Sequence, residues 1–204
     1  MREAVVPVVA VDQVAGAAAA TRLLLDLGHR KVSHIAGARG WSSARRRIQG
    51  WRAVLESAEV PVAPPLFGDW SVRSGYELGR LLAQDREVTA IFAANDEMAL
   101  GVMRAMSEAG REVPRDVSII GFDDVPFARY LTPPLTTVRQ DFEGLGQRSV
   151  HLLMDAIAAS TARACRSDHN GTGRARQYRP GSHPRLTDVR SASGSPAKLQ
   201  ASTR

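Results

Sequence analysis

The sequence predicts an α/β fold built on a parallel sheet, and three observations carry that prediction. Between residues 5 and 160, short apolar runs alternate with helical patterns. Each pair takes roughly 25–30 residues, the length that right-handed crossovers between parallel strands require. Most of the runs are apolar throughout, as strands covered on both faces should be. The helical stretches carry start and stop residues at their ends.

Taken in order, the first run, Val5–Val11, is a strand, and Asp12 and Gln13 follow it. A helix over about 14–27 ends at Gly28, whose missing Cβ suits a left-handed position. Val32–Ala36 is the next strand. The helix after it starts near Ser42 or Ser43, either of which can cap it, and sets Ile48, Trp51, Leu55 and Ala58 on one stripe. Leu66–Gly68 is a short strand, and the helix over about 72–84 buries Leu78, Leu81 and Leu82. Thr89–Ala93 leads to a helix capped by Asp96, running through Leu100 and Met103 to Gly110, with Pro114 beyond. Val117–Gly121 and Leu135–Val138 complete the strands. A last helix, about 143–159, presents Leu145, Val150, Leu153 and Ile157.

Composition narrows the class. The 204 residues suffice for one well-packed domain or two small ones. No run of about 18 apolar residues exists, so nothing predicts a membrane span. The apolar start lacks a cleavage site, which favours a buried strand over a signal peptide. One cysteine, Cys165, excludes an internal disulfide and fits a reducing, cytoplasmic setting. The net charge of +6 is unevenly spread. Residues 161–204 hold nine of the 27 Lys and Arg against Asp168 and Asp188, a net +7, so the other 160 residues sum to −1. A nearly neutral body offers no electrostatic footprint for nucleic acid. The basic tail has no period of 2 or 3.6, and its composition predicts disorder.

In parallel sheets, ligands bind outside the carboxyl ends of the strands. After Val32–Ala36 comes GARGWSSARRR, a glycine turn entering a helix with Arg45, Arg46 and Arg47 in its first turns. Cations there oppose the helix dipole by about a few tenths of a kcal/mol. One of them has another use, or all three form a solvated face. Trp70 follows the next strand, as a packing lid or a ligand platform. Asn95 and Asp96 follow Thr89–Ala93; with Asp96 as the cap, Asn95 is free to face the crevice. Asp123 and Asp124 follow Val117–Gly121, where they could bind a metal, cap a turn or accept hydrogen bonds from hydroxyls. Arginine, asparagine, aspartate and a flat aromatic on one rim suit a polyol. Charged groups grip neighbouring hydroxyls, and an indole covers the apolar side of a sugar ring. No nucleophile elbow, Cys/His pair or Walker loop is present, so no catalytic residue, metal site or cofactor is predicted. His29, His34 and His151 read as structural.

Five segments carry a resemblance: LLLDLGHRKVSHIAG (23–37), ARRRIQGW (44–51), GDWSVRSGY (68–76), AIFAANDEMALGVMRAMSEAGREVPRDVSIIGFDD (90–124) and TPPLTTVRQDFEGLGQRSV (132–150). In this order and spacing the chain resembles the lactose/galactose repressor (LacI/GalR) family over residues 5–160. The resemblance implies a periplasmic-binding-protein-like (type I) sensor domain of a transcriptional regulator, not an enzyme, with a sugar as effector. A solute-binding protein of sugar transport on the same fold is the alternative. It also implies that Arg47, Asn95 and Asp123 hold sugar hydroxyls, and that Trp70 stacks on the ring. Phe142 then closes the apolar side from the hinge region, Ser43 lines the pocket, and Asp96 caps its helix.

Against that family, one lobe of the sensor is nearly complete and the other largely missing. Residues 1–11 correspond to a remnant strand of the N-terminal lobe, 12–138 to the C-terminal lobe, 139–160 to the return, and 161–204 to the basic tail. The helix-turn-helix head that reads operator DNA has no counterpart here, so specific operator binding is expected only through such a head. The tail stands where relatives have a strand, and reads as out-of-frame or degenerate sequence. The intact family architecture implies a homodimer. A half-open site predicts very weak binding of galactosides or related sugars by this chain.

Overall fold

A computed structural model describes residues 10–167 and 188–190 of the chain, with side chains described over 10–158. Its elements run α1 (Gln13–Asp26), β1 (Ser33–Ala36), α2 (Ser42–Ser57), β2 (Leu66–Phe67), α3 (Val72–Ala83), β3 (Ala90–Ala93), α4 (Asp96–Glu108), β4 (Ser118–Asp123), β5 (Thr136–Arg139), α5 (Phe142–Ser167) and β6 (Asp188–Arg190). The sheet order is β2-β1-β3-β4-β5-β6. The first five strands are parallel, and β6 pairs antiparallel with β5. Strand–helix alternation in the sequence has become a sheet with crossover helices.

The apolar strands are apolar because both faces are covered. Ile91, Ala93 and Ile119 pack with Met98, Val102 and Met106 of α4 on one face. Ala90, Phe92, Ile120 and Phe122 pack with Ala17, Ala20 and Leu24 of α1 and Trp51 and Leu55 of α2 on the other. Trp51 is fully buried and donates its Nε1–H to Val32 O at 3.1 Å. Burying a large apolar side chain this completely contributes about 1.5–3 kcal/mol. The larger of two compact units holds Asp12–Gln140 together with β6, and the smaller holds α5.

Four sequence expectations differ from what the structure shows. The stripe expected on α3 is wrong at Leu81, which is 53% exposed. α3 instead buries Gly75, Gly79 and Ala83, and a Cβ on Gly75 would land on the Met98 backbone. Close helix approach through small residues leaves the leucines at the edges of the contact. On α2, Ala58 lies past the last turn and is exposed. Neither Ser42 nor Ser43 caps that helix: Trp41 occupies the N-cap, with no side-chain cap bond. Asn95, not Asp96, caps α4, its Oδ1 accepting from Met98 N at 3.0 Å.

The C-terminal reading changes as well. α5 continues to Ser167, through alanines that favour helix, and Asp188–Arg190 forms β6 within the segment read as aperiodic. Three residues are too few to show a period. The remainder of the expected tail lies outside the described residues. So does the expected strand Val5–Val11 except for Ala10 and Val11, which are not in a strand.

Candidate functional site

The carboxyl ends of the parallel strands bring four of the predicted residues together. Arg47, in the second turn of α2, is 4% exposed and reaches under the strand ends. Its Nη2 donates to Asp123 Oδ1 at 3.2 Å, its Nε donates to Gln13 Oε1 at 2.7 Å, and its Nη1 donates to Ala94 O. The guanidinium lies 3.8 Å from the Phe122 ring centroid and 5.5 Å from that of Trp70. The dipole mismatch read at Arg45–Arg47 is thus explained by one buried arginine. Arg45 and Arg46 are exposed.

Asp123 closes β4 with φ of 118°, and Asp124 follows with φ of 58°. Both lie where side-chain-bearing residues are uncommon, as at many ligand sites. Asp123 Oδ1 takes both Arg47 and the Gln140 amide, whereas Oδ2 accepts no bond among the described residues. Burial pushes the Asp123 carboxyl up, and the Arg47 charge opposes that rise. Burial likewise lowers Arg47, with Asp123 opposing.

Trp70, on the loop after β2, has φ of 76°. Its indole lies against Gly37, where any Cβ would overlap the ring. It meets the exposed Trp41 edge-on at 6.0 Å between centroids. The indole is therefore both a packing lid over the glycine turn and a surface beside Arg47. Asn95 is not free as expected: besides capping α4, its Nδ2 donates to Trp70 O at 2.9 Å and to Glu97 Oε2 at 2.8 Å. Ser43 is half-buried in the first turn of α2. Phe142 opens α5 in the smaller unit, 54% exposed, and is no part of the cluster within the larger one.

Asp96, released from the cap, is fully buried. Its Oδ2 accepts from Val125 N at 2.9 Å, and Oδ1 accepts from the Thr137 hydroxyl at 2.5 Å. Burial pushes its carboxyl up to about 7. It braces the loop after β4, and a Cβ at Gly121 would strike it. Sequence reasoning missed Gln13, Gln140 and Trp41. Gln140 directly follows β5, so the strand-end rule could have found it. His29 bonds Thr89 and Ser118 hydroxyls at 3.0 and 2.9 Å, and His34 is buried against Phe92. Both are structural. Among the described residues, no three His, Cys, Asp or Glu converge as metal ligands would, and no helix is long and apolar enough to cross a membrane.

Residues 21–176 match the family model of the periplasmic binding protein-like domain. The lactose operon repressor of Klebsiella pneumoniae is 41% identical over 162 residues, covering 79% of this chain and 46% of the relative. Among solved structures, a LacI-family regulatory protein from Chloroflexus aggregans aligns with a TM-score of 0.71 at 33% identity, over 72% of this chain and 54% of that one. The transcriptional regulator CelR in complex with cellobiose aligns with a TM-score of 0.70 at 35% identity, over 74% and 47%. The chain belongs to the periplasmic binding protein-like domain family, as an effector-binding domain of the LacI type. It spans about half the length of the curated relatives it matches.

Proposed function

We propose that this domain senses a sugar and that the whole protein uses the signal to regulate transcription. The observation that supports this reading best is the buried Arg47–Asp123 pair at the strand ends, with Asp123 Oδ2 uncommitted and the Trp70 indole beside it. Guanidinium and carboxylate together suit vicinal hydroxyls, which need both donors and acceptors. In this reading Asn95 adds a polar contact by exchanging one of its present partners, Trp70 covers the ring, Ser43 lines the entrance and Phe142 closes the apolar side. Residues 12–138 act as the C-terminal lobe of the sensor and 139–160 as the return to the other lobe.

The names of the relatives support the same direction, since one is a lactose operon repressor and another is a regulator complexed with cellobiose. They do not favour the transport alternative. We further propose a cytoplasmic, non-catalytic homodimer that reaches operator DNA through a separate DNA-binding head. Calorimetric titration with lactose, cellobiose and ribose tests the sensor reading. Weak but saturable binding of at least one at high sugar concentration, lost in Asp123→Asn, is expected; binding that survives Asp123→Asn would refute the assigned site.

A further inference from the structure

Gln13 and Gln140 complete a closed ring of hydrogen bonds around the ligand pair. Gln13 opens α1 at the start of the larger unit, and Gln140 is the last residue before the chain leaves it. They lie 127 positions apart, yet Gln13 Nε2 donates to Gln140 Oε1 at 2.9 Å. Each uses its other amide atom on the site. Gln13 Oε1 accepts from Arg47 Nε at 2.7 Å, and Gln140 Nε2 donates to Asp123 Oδ1. The Arg47–Asp123 contact closes the ring.

The direction of every bond is fixed by the two charged members. Arginine only donates and carboxylate only accepts. Gln13 must therefore turn its oxygen to Arg47, which leaves its NH2 for Gln140. Gln140 must turn its NH2 to Asp123, which leaves its oxygen for Gln13. One orientation of each amide satisfies all four bonds, and flipping either amide breaks two. Such one-way networks polarise their members and act as units. Gln140 is 8% exposed, so its bonds face little competition from water.

We propose that Gln13 and Gln140 are positioning residues for the sugar-gripping pair, forming an amide clasp that sets the Arg47–Asp123 geometry from the two points where the chain enters and leaves the larger unit. The clasp commits Asp123 Oδ1 and Arg47 Nε to the protein and leaves Asp123 Oδ2 for ligand. A ligand gripping that pair tightens the clasp, and by linkage a displacement of residue 13 against residue 140 loosens the grip. Only the identity of the ligand rests on the sensor reading; the clasp itself does not.

The experiment uses the full chain with Gln13→Met and Gln140→Met, which keep side-chain length and remove the amide. NMR follows, in each variant, the member that the altered residue does not touch. Gln140→Met is expected to speed solvent exchange of the Arg47 Nε–H about tenfold, although Gln140 makes no bond to Arg47. Gln13→Met is expected to displace the Asp123 carboxyl carbon resonance, although Gln13 makes no bond to Asp123. At each reporter the double variant should add little to the single that removes its direct partner, Gln13→Met at Arg47 and Gln140→Met at Asp123, with thermal midpoints near wild type throughout. An unchanged Arg47 exchange rate in Gln140→Met, or an unmoved Asp123 resonance in Gln13→Met, overturns the clasp. Lactose affinity should fall about three- to tenfold in each single variant. If the wild-type chain binds no sugar, the sensor reading fails, while the two cross-ring signals still decide the clasp.

Discussion

Arg47 and Asp123 stand 76 positions apart and meet at 3.2 Å, the arginine side chain 5% exposed and the aspartate side chain 21%. α2 carries the cation and the end of β4 the anion, so the pair ties a helix to the sheet at the proposed binding edge. Removing the carboxylate strands a buried cation. Asp123→Ala should destabilise the domain by about 1–3 kcal/mol, less than the roughly 3–5 kcal/mol of a fully buried pair because the carboxylate keeps some solvent. The double variant Arg47→Met/Asp123→Leu should recover part of that loss. Urea denaturation checks both, and a double variant less stable than Asp123→Ala would contradict the assigned cause.

The three tryptophans should separate by role. Trp51, fully buried between β1 and α1, should cost about 3–5 kcal/mol on substitution by alanine. Trp41 is 60% exposed at the site edge, and Trp41→Ala should change stability by no more than about 0.5 kcal/mol. Equal losses in thermal unfolding would mean that Trp41 packs more tightly than its exposure allows.

Two buried groups give opposing pH dependences. Burial holds His34 down to about 4, with its bond to Phe92 O opposing. The unfolded chain, near 6.5, then binds the extra proton, so this group's stability is present above 6.5 and is lost as pH falls toward 4. Asp96 behaves inversely. Its folded value of about 7 exceeds the ordinary 3.8, so the native state holds the extra proton in between, and stability is lost as pH rises through that window. Asp96→Asn should therefore gain on wild type as pH rises from about 4 to 7, whereas His34→Phe should gain as pH falls from about 6.5 to 4. Urea midpoints across that range report both slopes. Parallel curves for wild type and Asp96→Asn would show that Asp96 is not protonated in the fold.

Much of this was legible in the sequence because burial on both faces writes itself as continuous apolar runs, such as Ala90–Ala93 and Ile119–Gly121. The proposed ligand residues Arg47, Trp70, Asn95 and Asp123 were singled out because parallel sheets bind at strand ends, and the structure brings these four together. What failed was local or distant. Asn95 and Asp96 are both good caps, and one residue decides which side chain turns inward. Leu81 fits a helical stripe, but the close contact of Gly75 with the Met98 backbone governs which face of α3 is covered. The Gln13–Gln140 bond joins residues whose proximity exists only after folding. Val150, Leu153 and Ile157 were rightly placed on one helix, yet they remain at least half exposed, which periodicity does not report.

In the proposed function a sugar binds at Arg47 and Asp123 against Trp70. That claim is tested most directly by a nitrogen-15 NMR titration of the chain with lactose and cellobiose. The indole Nε1–H of Trp70 has no hydrogen-bond partner among the described residues and is buried, so its resonance should be sharp and separate. Saturable shifts of the Trp70 indole and the Arg47 Nε–H, with the buried Trp51 indole unmoved and both shifts abolished in Asp123→Ala, are the predicted result. Shifts that spare Trp70 and Arg47, or that persist in Asp123→Ala, would contradict the claim.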